Sequence, residues 1–184
     1  MTMNFRNLNA RIRVLMAQEV DLDISTGNLY FSKRFTDTGR QVYPSLLLEA
    51  VKYHNDDWLA QELNSHGCFK TGEVRRSRNG NFNVAHTPFT AGETLAEGEF
   101  NRFYMRGLCV EAMEDRIPEV VVYRGKYVEQ PRPESEALIG MRIPASKLLE
   151  DLRSLPGSRM QYGIPAGPNS GLTICLPETI AVRE

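Results

Sequence analysis

The residues with the most chemical potential lie together on one predicted helix. Glu99, Arg102 and Arg106 stand at i, i+3 and i+7, so a helix carries all three along one face, with Glu97 and Asn101 beside them. An acid next to two guanidiniums is a candidate site for an enzyme acting on nucleic acid or nucleotides, with Glu97, Glu99, Arg102 and Arg106 as its catalytic residues. The same spacing also describes a salt-bridged helix face in which Glu99 pairs with Arg102. Exposed pairs of this kind are common and contribute little to stability. Sequence reasoning favours this second, structural description.

Other catalytic patterns fail on spacing. Glu97, Glu99, Glu119 and Lys126 supply the residue types of a carboxylate-plus-lysine nuclease, but the Asp at a strand end followed by Glu-x-Lys is missing. Arg124 and Glu134-Ser-Glu136 resemble the strand arginine and Glu-x-Glu motif of ADP-ribosyltransferases. Only ten residues separate Arg124 from Glu134, too few for the strands such a fold places between them. His54, His66 and His86 are scattered, and His66-Gly-Cys68 is the only pair at metal-ligand spacing, so no metal is expected. No Walker loop, Gly-x-Gly-x-x-Gly or ordered Ser, His and Asp set occurs, and no cofactor is expected.

A second group is electrostatic. Lys70, Arg75, Arg76 and Arg78 crowd a segment with few large apolar residues. Four cations suit salt-sensitive, sequence-blind contact with phosphates, or contact with an acidic neighbouring subunit. A solvated loop is the plainer reading. Over the whole chain, 22 basic and 23 acidic residues give a formal net charge of −1. That balance argues against a nucleic-acid coat or a polybasic membrane binder. Hydrophobic content of 41% is ordinary for a globular protein, and 184 residues suffice for one self-supporting core. Cys68, Cys109 and Cys175 are odd in number and far apart, which reads as buried, reduced thiols. No apolar run approaches the ~20 residues of a membrane span, and no signal-peptide core opens the chain, so cytoplasmic synthesis is expected.

The elements that would position these groups follow from periodicity. Phe5, Leu8, Ile12, Leu15 and Met16 predict a helix over residues 5–23, stopped by Gly27. Its arginines come first and its acids last, opposite to what the helix dipole favours, so it needs a packing partner. Residues 28–36 read as a short strand or an extended arm, with Phe31, Arg34 and Phe35 as contact residues for a neighbour. Asp37-Thr-Gly39 reads as a turn, Pro44 as the opening of a helix, and Asn55 as the cap of the next, giving a helical hairpin closed by Gly67. Asn79-Gly80 predicts an exposed β-hairpin over the basic segment. Thr90 with Glu93 has capping-box spacing and opens the long central helix, in which Gly98 and Gly107 mark close approaches. Glu119–Arg124 and Gly171–Leu176 predict strands, and Pro144 starts a helix with Leu148, Leu149 and Leu152 inward. The proline- and glycine-rich stretch 156–169 reads as an irregular loop.

Strands and helices do not alternate, so the expected class is α+β: an N-terminal helical segment and helical hairpin, with a central long helix packed on a small mixed or antiparallel sheet. One domain over 1–184 is expected, with 1–66 mainly helical, 67–89 a basic hairpin and 90–184 the α+β core.

Three segments together carry a resemblance: Leu95-Ala-Glu-Gly-Glu-Phe-Asn-Arg-Phe-Tyr104, Pro131-Arg-Pro-Glu-Ser-Glu-Ala-Leu-Ile-Gly140 and Gly167-Pro-Asn-Ser-Gly171. The chain resembles small uncharacterised proteins encoded in the structural gene clusters of tailed bacteriophages, over about residues 5–177. The resemblance implies a non-enzymatic structural or assembly protein of the virion, in the head or at the head–tail junction. Its partners would be other subunits of an assembly, with the chain as a homo-oligomer. A small regulator that binds one protein partner is the further alternative.

Overall fold

Asn9 sets the start of the first helix. It is extended, and its side-chain oxygen accepts a hydrogen bond from the Ile12 amide at 2.9 Å. The helix, α1 (Ala10–Thr26), ends at Gly27, whose left-handed backbone (φ 73°) returns its amide to the Asp23 and Ile24 carbonyls. The structure, a computed structural model, describes residues 3–76, 82–154, 161–164 and 170–178. Residues 5–9 are not helical, despite their periodicity. They form a strap whose Phe5 ring lies 4.6 Å from Tyr104 and 5.3 Å from Phe100. Tyr123 fixes the strap by donating to the Asn4 carbonyl (2.6 Å) and accepting from the Arg6 amide (2.9 Å).

Thr36 begins α2 (Asp37–Tyr53), its hydroxyl accepting from the Gly39 amide at 3.0 Å. The residues expected to form a turn are therefore the first turn of a helix. Pro44 lies inside α2 instead of opening it, and removes one backbone donor there. Asn55 caps α3 (Asp56–Ser65) through the Trp58 amide at 2.9 Å. The hairpin follows as β1 (Gly72–Arg76) paired antiparallel with β2 (Phe82–His86). Asn79-Gly80 lies outside the described residues.

The central helix is α4 (Ala91–Glu114), and every residue from Phe100 to Cys109 is buried. It packs on α1, α2, α3, α6 and the sheet. Thr90 does not cap it: its backbone is near-helical (φ −82°, ψ 7°), whereas a capping residue needs an extended backbone. Gly107 marks the α1–α4 crossing. A Cβ there would lie 3.1 Å from both the amide nitrogen and Cγ of Met16. Gly98 faces open space, so the close approach expected there is absent. The partner that α1 requires is thus α4 of the same chain.

Beyond α4 run β3 (Glu119–Arg124), the short α5 (Pro133–Glu136), β4 (Arg142–Pro144), α6 (Ala145–Arg153) and β5 (Leu172–Cys175). The sheet is antiparallel in order β4-β3-β5, with Val120 opposite Ile143 and Val122 opposite Ile174. Leu148, Leu149 and Leu152 of α6 are buried as their spacing implies. The architecture is α+β. Most of 156–169 lies outside the described residues. The three cysteines are buried and form no disulfide. No helix among the described residues is long and apolar enough to cross a membrane.

Candidate functional site

The acid–arginine face of α4 exists, and it points into the protein. Arg106 is fully buried. Its Nε donates to Glu19 Oε2 at 2.8 Å, and its Nη1 and Nη2 donate to the two oxygens of Asp23 at 2.7 and 2.9 Å. Glu19 and Asp23 are one turn apart on α1, so a single guanidinium bridges both. From α6, Arg153 Nε reaches Glu19 Oε2 at 2.9 Å, and its Nη2 reaches Glu19 Oε1. Arg102 donates from Nε to the Leu152 carbonyl at 3.1 Å, leaving Asp23 at 3.7 Å and Glu99 at 3.8 Å. Three guanidiniums and three carboxylates therefore tie α1, α4 and α6 together.

Their electrostatics separate two roles. Burial works to raise the Glu19 carboxyl, but hydrogen bonds from Arg153 and Arg106 outweigh it and hold Glu19 below its ordinary range. Glu99 has no such bonds. Its side chain is 12% exposed, Oε2 has no hydrogen-bond partner, and Arg102 is too far to compensate. Burial pushes its carboxyl up to about 7, against the pull of Arg102. The Tyr43 hydroxyl is buried and also lacks a partner, its ring enclosed by Phe31 and Phe35. Burial, then the nearby Glu99, raises it further. Burial likewise pushes the Cys109 thiol up to about 12, which leaves it unreactive.

Glu97 is elsewhere. Two residues from Glu99, it projects to another side of α4 and accepts from Lys126 Nζ at 2.5 Å. That pair closes one end of a cleft of about 320 Å³ between α3 and the start of α4, lined also by Asp56, Asp57, Gln61, Asn64 and Glu93. Asp56 is buried. Its Oδ2 accepts from the Met3 amide at 3.3 Å, while Oδ1 has no hydrogen-bond partner. Among the described residues no three His, Cys, Asp or Glu side chains gather as a metal ion would require.

The chain matches no protein-family model, no curated protein and no solved structure.

The remaining predicted residues are dispersed. Phe35 is buried on Tyr43 and Phe69, and Phe31 is half-buried against Tyr43, so neither forms a free arm. Arg34 and Lys70 are exposed, and the Lys70 amide donates to the Arg34 carbonyl at 2.9 Å. Arg75 and Arg76 lie in β1, opposite Asn83 and Phe82. Arg78 lies outside the described residues. Glu119 pairs with Arg142 at 3.9 Å and does not join Glu97 and Lys126. Arg124 binds Glu136 Oε1 and the Ser170 carbonyl, each at 2.5 Å, and so ties α5 to the approach of β5.

Sequence reasoning missed Glu19, Asp23, Arg153 and Tyr43. A signal existed for the two acids. They continue the stripe of Ile12, Met16 and Val20, where an apolar residue would be expected.

Proposed function

We propose that this chain is a non-enzymatic structural or assembly protein that acts through repeated protein–protein contacts. The resemblance of its three segments is what supports a role in a tailed-phage particle, in the head or at the head–tail junction. One observation carries the non-enzymatic part: Arg106, the centre of the acid–arginine group, is fully buried and held by two carboxylates of α1. A guanidinium so held is committed inside the fold and cannot also bind a substrate phosphate. The hairpin supports the contact role, because β1 and β2 make no extensive contact with any other element among the described residues.

Two experiments test this reading. The purified chain, incubated with Mg²⁺ and single- or double-stranded DNA, RNA or nucleoside triphosphates, is expected to give no turnover. Turnover that Glu99→Gln abolishes while thermal stability is kept would establish the enzyme instead. Mass spectrometry of purified tailed particles encoded with this gene is expected to detect the chain. Its absence from complete, infectious particles would remove the virion role.

A further inference from the structure

One arginine stands apart from the charge network described above. Of the described arginines that are not exposed, Arg102, Arg106 and Arg124 each meet a carboxylate within 3.7 Å, and Arg13 meets none among the described residues. Arg13 reaches from α1 to the end of α2. Its Nη1 donates to the Val51 carbonyl at 3.0 Å and to the Ala50 carbonyl at 3.5 Å. That satisfies carbonyls which the last turn of a helix leaves open. It leaves the Nε–Nη2 edge of the guanidinium without a hydrogen-bond partner among the described residues. Burial pushes this guanidinium down from its ordinary range, with no acid acting against it.

Arg13 lines an open cavity of about 810 Å³ between the strap and the link from α2 to α3, a size that admits a small ligand. The wall of that cavity is aromatic. The His54 and Trp58 rings stack there, with centroids 4.1 Å and planes 12° apart, and Tyr53 beside them is 74% exposed. A planar guanidinium edge suits the paired oxygens of a carboxylate or phosphate. Flat aromatic rings suit another flat ring. Asp57 is the one carboxylate lining the cavity among the described residues, and it would repel a polyanion. One anionic group therefore fits, and a nucleic-acid strand does not.

We propose that this cavity binds a small molecule made of a flat aromatic ring and one anionic group, with the anion on the Nε–Nη2 edge of Arg13 and the ring against His54, Trp58 and Tyr53. An aromatic carboxylate and a nucleoside monophosphate share that chemistry. The site goes beyond the assembly role proposed above and does not rest on it.

Trp58 is the only tryptophan of the chain, so its fluorescence reports on this cavity directly. The purified chain is titrated with benzoate and with adenosine monophosphate, and separately with acetate, inorganic phosphate and adenosine. At least one of the first two should change the emission saturably, and which one does so separates a carboxylate ligand from a phosphate ligand. Acetate, phosphate and adenosine each lack the ring or the anion, and should bind at least about tenfold more weakly. Arg13→Lys keeps a cationic donor for the α2 carbonyls but loses the planar edge. It should weaken binding at least about tenfold while circular dichroism shows the chain folded. Tyr53→Ala changes an exposed side chain, and so tests the site even where the Arg13 variant does not fold. It should weaken binding roughly threefold. No saturable change with either benzoate or adenosine monophosphate overturns the proposal. So does binding of acetate, phosphate or adenosine as tight as that of the whole compound, or unchanged affinity in either folded variant.

Discussion

The charges at the α1–α4–α6 junction and those of the hairpin and cleft differ in where their partners are. At the junction, Arg106 meets Glu19 and Asp23, and Arg153 meets Glu19, within the chain and at hydrogen-bonding distance. At the other end, a hairpin bearing Arg75 and Arg76 makes no extensive contact with the body, and the cleft keeps an orphan oxygen on Asp56. Buried and paired, charge fixes how three helices meet. Substitutions at the first site should therefore unfold the protein.

The strongest way to break this contrast is Arg106→Met. It leaves Glu19 and Asp23 buried and short of donors, and should cost about 3–5 kcal/mol in urea unfolding. Arg106→Lys should recover only part of this, because an ammonium cannot serve both carboxylates in the same geometry. A loss under 1 kcal/mol for Arg106→Met would show that the network is not a staple.

Gly107→Ala should come next, at about 1–3 kcal/mol, since its Cβ would press on the Met16 backbone. Gly98→Ala has open space and should stabilise by about 0.5–1 kcal/mol. Equal effects at the two glycines would refute the tight crossing of α1 on α4.

Glu99→Gln sharpens the contrast inside the network. Its carboxyl rises from 4.5 to about 7 on folding, so between those values the folded chain holds a proton that the unfolded chain releases. The contribution of Glu99 is fully present below 4.5 and is lost as pH rises through about 7. Glu99→Gln should remove that slope and exceed the unaltered chain by about 1–3 kcal/mol at pH 8. Glu19 runs the other way: held low, its contribution is present above its unfolded range and is lost as pH falls through the folded value. A variant less stable than the unaltered chain at pH 8 would contradict the burial argument for Glu99.

Local signals in the sequence carried much of the fold. The Asn55 cap, the α6 leucines, the two longer sheet strands and the hairpin positions are all local features, and each lies where its spacing implies. What escaped was set by distant contacts. Glu19 and Arg106 are 87 residues apart, and Glu19 and Arg153 are 134 apart, so no window along the chain shows them as partners. Glu99, Arg102 and Arg106 were visible as one face, but burial decides their role, and the spacing is the same for an exposed face and an interior one. Phe5 and Leu8 kept helical spacing while serving as strap residues, because Asn9 starts the helix after them. Pro44 looked like a helix start because prolines usually are, yet the extended Thr36 had already supplied one.

The mass of the purified chain by light scattering across concentration, with the ratio of absorbance at 260 and 280 nm, tests the central claim most directly. The account predicts a nucleic-acid-free assembly heavier than the 20.9 kDa chain. A constant 20.9 kDa at every concentration would contradict the claim that the chain acts through self-assembly.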